Sequence, residues 1–214
     1  MSNVRIGYSP TFTAGISLPT GVVMNTFSVD IQLMTTTSDN LDQNIALERI
    51  KYVLFEQIAD SIILGDKDKK QRTKFADAGF RTIVLPDEPA DQLIGLAIWC
   101  KIDAITKDVF DIIDISIRSN LGGGICYLHN EDESLGPFEK DGWWTDPSPN
   151  CVTTTNTKKK IVSLNNPTWK TLNLEWNEGD VEEEIVVEVK LEKNKEKIDF
   201  DGENVVEFKP NDKK

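Results

Sequence analysis

A chain of 214 residues and 24.1 kDa, with 36 Asp and Glu against 24 Lys and Arg for a formal net charge of -12, can make one sizeable domain or two small ones. Such acidity speaks against direct, sequence-independent binding to nucleic acid, which depends on lysines and arginines that release counterions from phosphates. No stretch approaches the roughly 20 apolar residues of a membrane span, and the first five residues are not followed by the apolar core of a secretion signal, so a soluble protein that works where it is made is expected.

Cysteine usage agrees with a reducing environment. Cys100, Cys126 and Cys151 lack the close pairs of a zinc ribbon or redox motif, and reduced, mostly buried thiols are expected.

In chain order, residues 1–24 alternate turn formers with short β-prone pieces, at Tyr8-Ser9-Pro10 and Leu18-Pro19-Thr20-Gly21, and read as an N-terminal arm or edge hairpin. Residues 27–34 alternate apolar with polar, the pattern of a strand buried on one face. From Asp42 the period changes. Leu47, Ile50, Leu54, Ile58 and Ile62 fall on one helical stripe, with Asp39 or Asp42 as candidate caps and Gly65 as a stop. Residues 66–74, with Lys67, Lys69, Lys70, Arg72 and Lys74, read as a solvated basic loop. Residues 81–85, 92–102 and 110–118 read as strands, the first ended by Pro86-Asp87-Glu88-Pro89.

The expected class is therefore α+β: an antiparallel sheet with one main amphipathic helix over residues 25–155, because the crossover helices of a doubly wound sheet are missing from this reading. A C-terminal all-β region with a charged tail is expected over 156–214, from strand-like segments at 160–164, 171–176, 184–191 and 205–208. Residues 175–214 carry 14 acids and 7 lysines, a local net charge of -7 that leaves -5 for the rest.

Residues 121–150 are rich in Gly and Pro and hold the candidates for chemistry. Gly122-Gly123-Gly124 is no phosphate loop, since no Gly-Lys-Ser or Gly-Lys-Thr follows, and no cofactor is expected. His129 is the single histidine; with Glu131, Asp132 and Glu133 it forms a weak metal candidate without EF-hand spacing, beside the bland reading of a solvated acidic turn. Asp87, Glu88 and Asp91 make a second acidic group that would matter if the fold brought it to the first. No nucleophile elbow accompanies His129, and no catalytic residue is assigned. Trp143 and Trp144, with Phe138 nearby, either pin the loop to the core or present rings to a partner, and are the candidate binding residues.

Gln43-Asn44-Ile45-Ala46-Leu47-Glu48-Arg49-Ile50-Lys51, Glu88-Pro89-Ala90-Asp91-Gln92-Leu93-Ile94-Gly95, and Gly136-Pro137-Phe138 with Gly142-Trp143-Trp144 resemble a family of uncharacterised proteins of large tailed bacteriophages, of myovirus and cyanophage type, over residues 25–150. The resemblance implies a protein made in an infected cell, located in the host cytoplasm or the virion. Two function classes follow. The favoured one is a non-enzymatic phage interaction protein, whether virion component, assembly factor or host-protein modulator, with a phage or host protein or a second copy as partner and no membrane. The alternative is a small metal-assisted hydrolase or nucleotide-binding protein.

Overall fold

The computed structural model describes residues 4–106, 108–151 and 167–176, all within the unit Met1–Glu178. Its class is α+β. A mixed sheet runs in the order β5 (Thr82–Leu85), β4 (Ile62–Gly65), β2 (Thr11–Leu18), β3 (Gly21–Thr35), β6 (Phe110–Ser119), β7 (Cys126–Asn130), with β1 (Arg5–Tyr8) also paired to β3.

β3 (Gly21–Thr35) is the spine of that sheet. Phe27, Val29, Ile31 and Leu33 alternate inward, while Ser28, Asp30 and Gln32 point to the other face. β1 (Arg5–Tyr8) and β2 (Thr11–Leu18) run antiparallel along one side of β3, broken at Ser9-Pro10, where the Pro10 carbonyl accepts the Val29 N–H. This stretch, read as an arm or edge, is instead central: β2 lies between β3 and β4 with Phe12, Ala14 and Ile16 buried. β6 (Phe110–Ser119) covers the other side of β3 and β7 (Cys126–Asn130) forms the far edge, both antiparallel.

Two strands are parallel. β4 (Ile62–Gly65) pairs with β2 and β5 (Thr82–Leu85) with β4, both in parallel register. All eight residues are buried, because the main core takes Ile63, Ile83 and Leu85 on one face while Ile62, Leu64 and Val84 meet Phe75 on the other. The cover on that second face is α2 (Lys69–Asp77), within the segment read as a loop. Lys, Gln, Arg and Ala are good helix formers, so α2 needs only one apolar anchor.

α1 (Asn40–Lys51) starts at Asp39, whose carboxylate accepts the Leu41 and Asp42 N–H groups at 2.7 and 3.4 Å. It passes into a π-helical stretch, Tyr52–Ile58, and stops at Asp60, which has positive φ. The π pitch brings residues five apart together, and Gln57 donates to the Tyr52 hydroxyl at 3.1 Å. Ile62, placed on the helical stripe by its spacing, belongs to β4.

The largest departure is α3 (Asp91–Thr106). Residues 92–102 read as a strand, but they are the buried helix that packs on β6. The apolar run Leu93 to Cys100 has no period to distinguish the two, and the 16 residues of α3 as a whole fit a helix better than a strand. Gly95 allows the close approach: a methyl there would meet Ile117 Cγ2 at 2.8 Å. Among the described residues three α-helices thus stand where one was expected. Of the C-terminal β region, only 167–176 is described, and Trp169 to Asn173 form a turn where a strand was expected; the segments at 160–164, 184–191 and 205–208 lie outside the described residues.

Candidate functional site

The loop 136–151 is built around one buried cation. Lys101, on α3, is fully buried and its ammonium donates to the carbonyls of Trp143, Asp146, Ser148 and Asn150 at 3.0, 2.7, 2.8 and 3.2 Å. Four acceptors around three N–H groups fix the path of the loop by its backbone. Burial pushes the Lys101 pKa below its ordinary value, against the opposing influence of Cys151 and Asp146. Burial also favours the protonated form of the thiols beside this hub, pushing Cys100 up to about 11 and Cys151 up to about 12.

Held this way, the loop presents its two tryptophans. Trp144 is buried; its Nε1 donates to the carbonyls of Phe138 and Lys140 at 3.2 and 2.9 Å, and its ring meets Phe138 edge to face at 5.0 Å. Gly142 leaves room for that ring, since a Cβ there would collide with it. Trp143 is half-buried, 5.9 Å from Trp144 between ring centroids, and its Nε1 donates to the Val84 carbonyl at 2.9 Å. Both tryptophans are therefore pinned, and Trp143 keeps one side open.

That open side belongs to a cleft of about 360 Å³ at the carboxyl ends of β4 and β5. Asp66 enters from the end of β4, Pro86 from the end of β5, Arg72 from α2, and Pro137, Lys140, Asp141 and Trp143 from the loop. Parallel strands joined by a crossover helix leave a crevice at their carboxyl ends, where ligands of such sheets bind. The volume is in the range of small-molecule sites. Its lining joins an indole with two cations and two carboxylates.

The other sequence candidates separate. His129 is buried against Trp99, at 4.8 Å edge to face, and its Nδ1 lies 3.1 Å from Glu133 Oε2. Glu131 and Asp132 stay in an exposed turn. Asp87 pairs with Lys67 at 3.0 Å, Asp91 accepts the Ser119 hydroxyl at 2.7 Å, and Glu88 is exposed. Among the described residues no three His, Cys, Asp or Glu come together as a metal site. Nor is any described helix long and apolar enough to cross a membrane. Phe138 is buried beneath Trp144 and supports the cleft from behind.

Sequence reasoning missed Arg72, Lys140, Asp66 and Lys101. Asp66 and Arg72 read only as part of the charged loop 66–74 and Lys140 carries no motif of its own, and nothing local ties any of them to the tryptophans. Lys101 did carry a signal: it is one cation inside the apolar run Leu96 to Ile105, a position that must find buried acceptors.

No protein-family model matches the chain, and no curated protein matches it. Solved structures similar to it include 6-pyruvoyl tetrahydropterin synthase from Plasmodium vivax, at 11% identity and a TM-score of 0.39, covering 61% of this chain and 99% of that one. A catalytic-residue mutant of the same enzyme matches at 10% identity with the same TM-score and coverage, and the Plasmodium falciparum enzyme at 10% identity and a TM-score of 0.37, also covering 61% of this chain and 99% of that one. These solved structures are of an enzyme, where a non-enzymatic interaction protein was expected for this chain, and that expectation is not carried further.

Proposed function

We propose that the protein binds a small ring-bearing anion of the nucleotide class in the cleft between the strand ends and the tryptophan loop. The observation that carries this reading is the convergence of Trp143, Arg72 and Lys140 on one crevice at the carboxyl ends of β4 and β5. Each supplies a different part of such recognition. An indole face stacks on a planar ring. Arg72 and Lys140 supply charge-assisted hydrogen bonds to an anionic group. Asp66 and Asp141 accept from ring or sugar donors, and they disfavour a ligand that is anionic throughout. The surrounding scaffold is rigid, because Lys101 fixes the loop and the indole N–H of Trp143 fixes the ring against β5.

The test is a titration of the full-length chain with adenosine and guanosine monophosphates, read by tryptophan fluorescence and by melting temperature. Binding should quench fluorescence and raise the melting temperature by mass action. Lys140 is exposed, so Lys140→Ala should leave the fold intact while weakening binding about tenfold, equivalent to about 1.4 kcal/mol. Unchanged fluorescence and melting at about 10 mM of every monophosphate, a concentration at which even weak recognition registers, overturns the reading.

A further inference from the structure

Arg49 lies on α1, away from the tryptophan cleft, and is only 4% exposed. Its Nε and Nη2 both donate to the Leu174 carbonyl, at 2.8 and 2.6 Å, and Nη1 donates to the Ile105 carbonyl at 3.2 Å. Two indoles cover the guanidinium, with Trp176 at 3.6 Å and Trp169 at 4.6 Å from its central carbon to the ring centroids. A guanidinium has five N–H groups. These bonds use three, and leave one on each terminal nitrogen.

Among the described residues no carboxylate bonds to this cation. Burial pushes its pKa down to about 10, against the weaker opposing pull of Asp42 and Glu175. A buried cation with carbonyl partners alone carries a desolvation cost that a paired one would offset, and such arrangements gather where a ligand completes them. Beside it opens a cleft of about 820 Å³, to which Lys170 adds a second cation and Ser148 a hydroxyl, while Asp146 and Glu175 line the same space.

We infer that Arg49 anchors a second ligand site, for a small compound bearing one oxyanion, a carboxylate or a phosphate ester. The oxyanion meets the two remaining N–H groups at the edge of the guanidinium, since Trp176 and Trp169 occupy its faces. Lys170 adds long-range attraction. Asp146 and Glu175 exclude polyanions and accept from donors on the rest of the ligand. The inference is independent of the nucleotide reading, because the two clefts share no lining residue.

Calorimetric titration of the full-length chain with benzoate and with phenyl phosphate tests the site and separates the two oxyanion sources. Either probe should bind the wild-type protein, and Arg49→Gln should weaken that binding by about tenfold or more, the loss of a bidentate charge-assisted contact. Lys140→Ala, in the other cleft, should leave it unchanged. Arg49 also holds Leu174, so a second variant keeps the test independent of folding: Lys170→Gln, at an exposed position, should weaken binding by about threefold, a typical loss for one screened charge. Absence of heat from both probes at about 10 mM overturns the inference, since a built oxyanion site binds well below that. Equal affinity in wild type, Arg49→Gln and Lys170→Gln also overturns it, and if Arg49→Gln fails to fold, unchanged affinity in Lys170→Gln does so alone.

Discussion

Trp143 donates its indole N–H to the carbonyl of Val84 at 2.9 Å and so caps the outer edge of β5 with a side chain in place of a further strand. The alternation along β5 makes this possible: the Arg81 and Leu85 carbonyls accept from Ile62 and Asp66 on the β4 side, which turns the Val84 carbonyl outward. An edge strand of buried apolar residues is a template for unwanted pairing, and the indole blocks it.

The two tryptophans should therefore differ in what they contribute. Trp143→Phe keeps a ring over the cleft and removes one hydrogen bond, and should cost about 1 kcal/mol in urea unfolding. Trp144→Ala removes a buried ring and two hydrogen bonds, and should cost about 3 to 5 kcal/mol. Equal costs for both substitutions would show that Trp143 is as deeply structural as Trp144.

How far the sequence speaks for this fold depends on the range of each interaction. β3 and β6 are legible because one face meets the core and the other does not, which writes period two into the residues. The start of α1 is legible from Asp39. The rest of that helix is not, because the Tyr52 to Gln57 pairing that accompanies the π pitch leaves the apolar spacing helical up to Ile62. α3 is illegible as a helix for the opposite reason: from Ile94 to Ile102 every residue is buried, so no polar stripe runs along it. That misreading also hid the parallel strands, since β4 was absorbed into a longer α1 and α2 passed as a loop. With no crossover helix in view, no crevice at the strand ends could be expected. Trp143, Trp144 and Phe138 stood out by composition alone, but their partners Lys101, Val84 and Arg72 come from distant segments that only the fold brings near.

Lys101 gives the sharpest stability prediction. Lys101→Met fills the same volume but leaves the carbonyls of Trp143, Asp146, Ser148 and Asn150 without their donor. The expected loss is about 3 kcal/mol or more in chemical denaturation, with the loop's amide hydrogens exchanging faster than those of β3. A variant as stable as wild type would show that the carbonyls find water at no cost.

Alkaline pH should weaken the protein through its thiols. The Cys151 thiol ionises near 9.0 when unfolded and is pushed up to about 12 by burial, so between those values the native state holds a proton that the unfolded state has lost. Stability must then fall as pH rises, by up to about 1.4 kcal/mol per pH unit from this group. Lys101 works in the opposite direction: its lowered native pKa means that the unfolded state binds more protons below 10.5, which raises stability with pH in that window. Cys151→Ala should flatten the alkaline decline measured between pH 9 and pH 11, whereas Lys101→Met should steepen it. Parallel pH profiles for wild type and Cys151→Ala would remove the thiol from the account.

Gly142 tests whether the cleft is shaped by local crowding. Its backbone does not need positive φ, unlike Gly123 at 61° or Gly136 at 53°, so an alanine there meets a steric barrier and no conformational one. The barrier is the Trp144 ring, which is locked from behind by Phe138 and by two carbonyls and cannot swing away. Gly142→Ala should therefore cost about 1 to 3 kcal/mol, as overpacking does, and displace the wall formed by Asp141, Gly142 and Trp143, weakening the binding proposed for that cleft along with stability. In a Trp144→Phe background the smaller ring leaves space for the methyl, so the same substitution should cost at least about 1 kcal/mol less. That difference, read from a double-mutant cycle of urea midpoints, isolates the collision itself. A cycle that closes with no coupling would place the cost of Gly142→Ala in its backbone instead, and the orientation of Trp144 would then owe nothing to the glycine beside it.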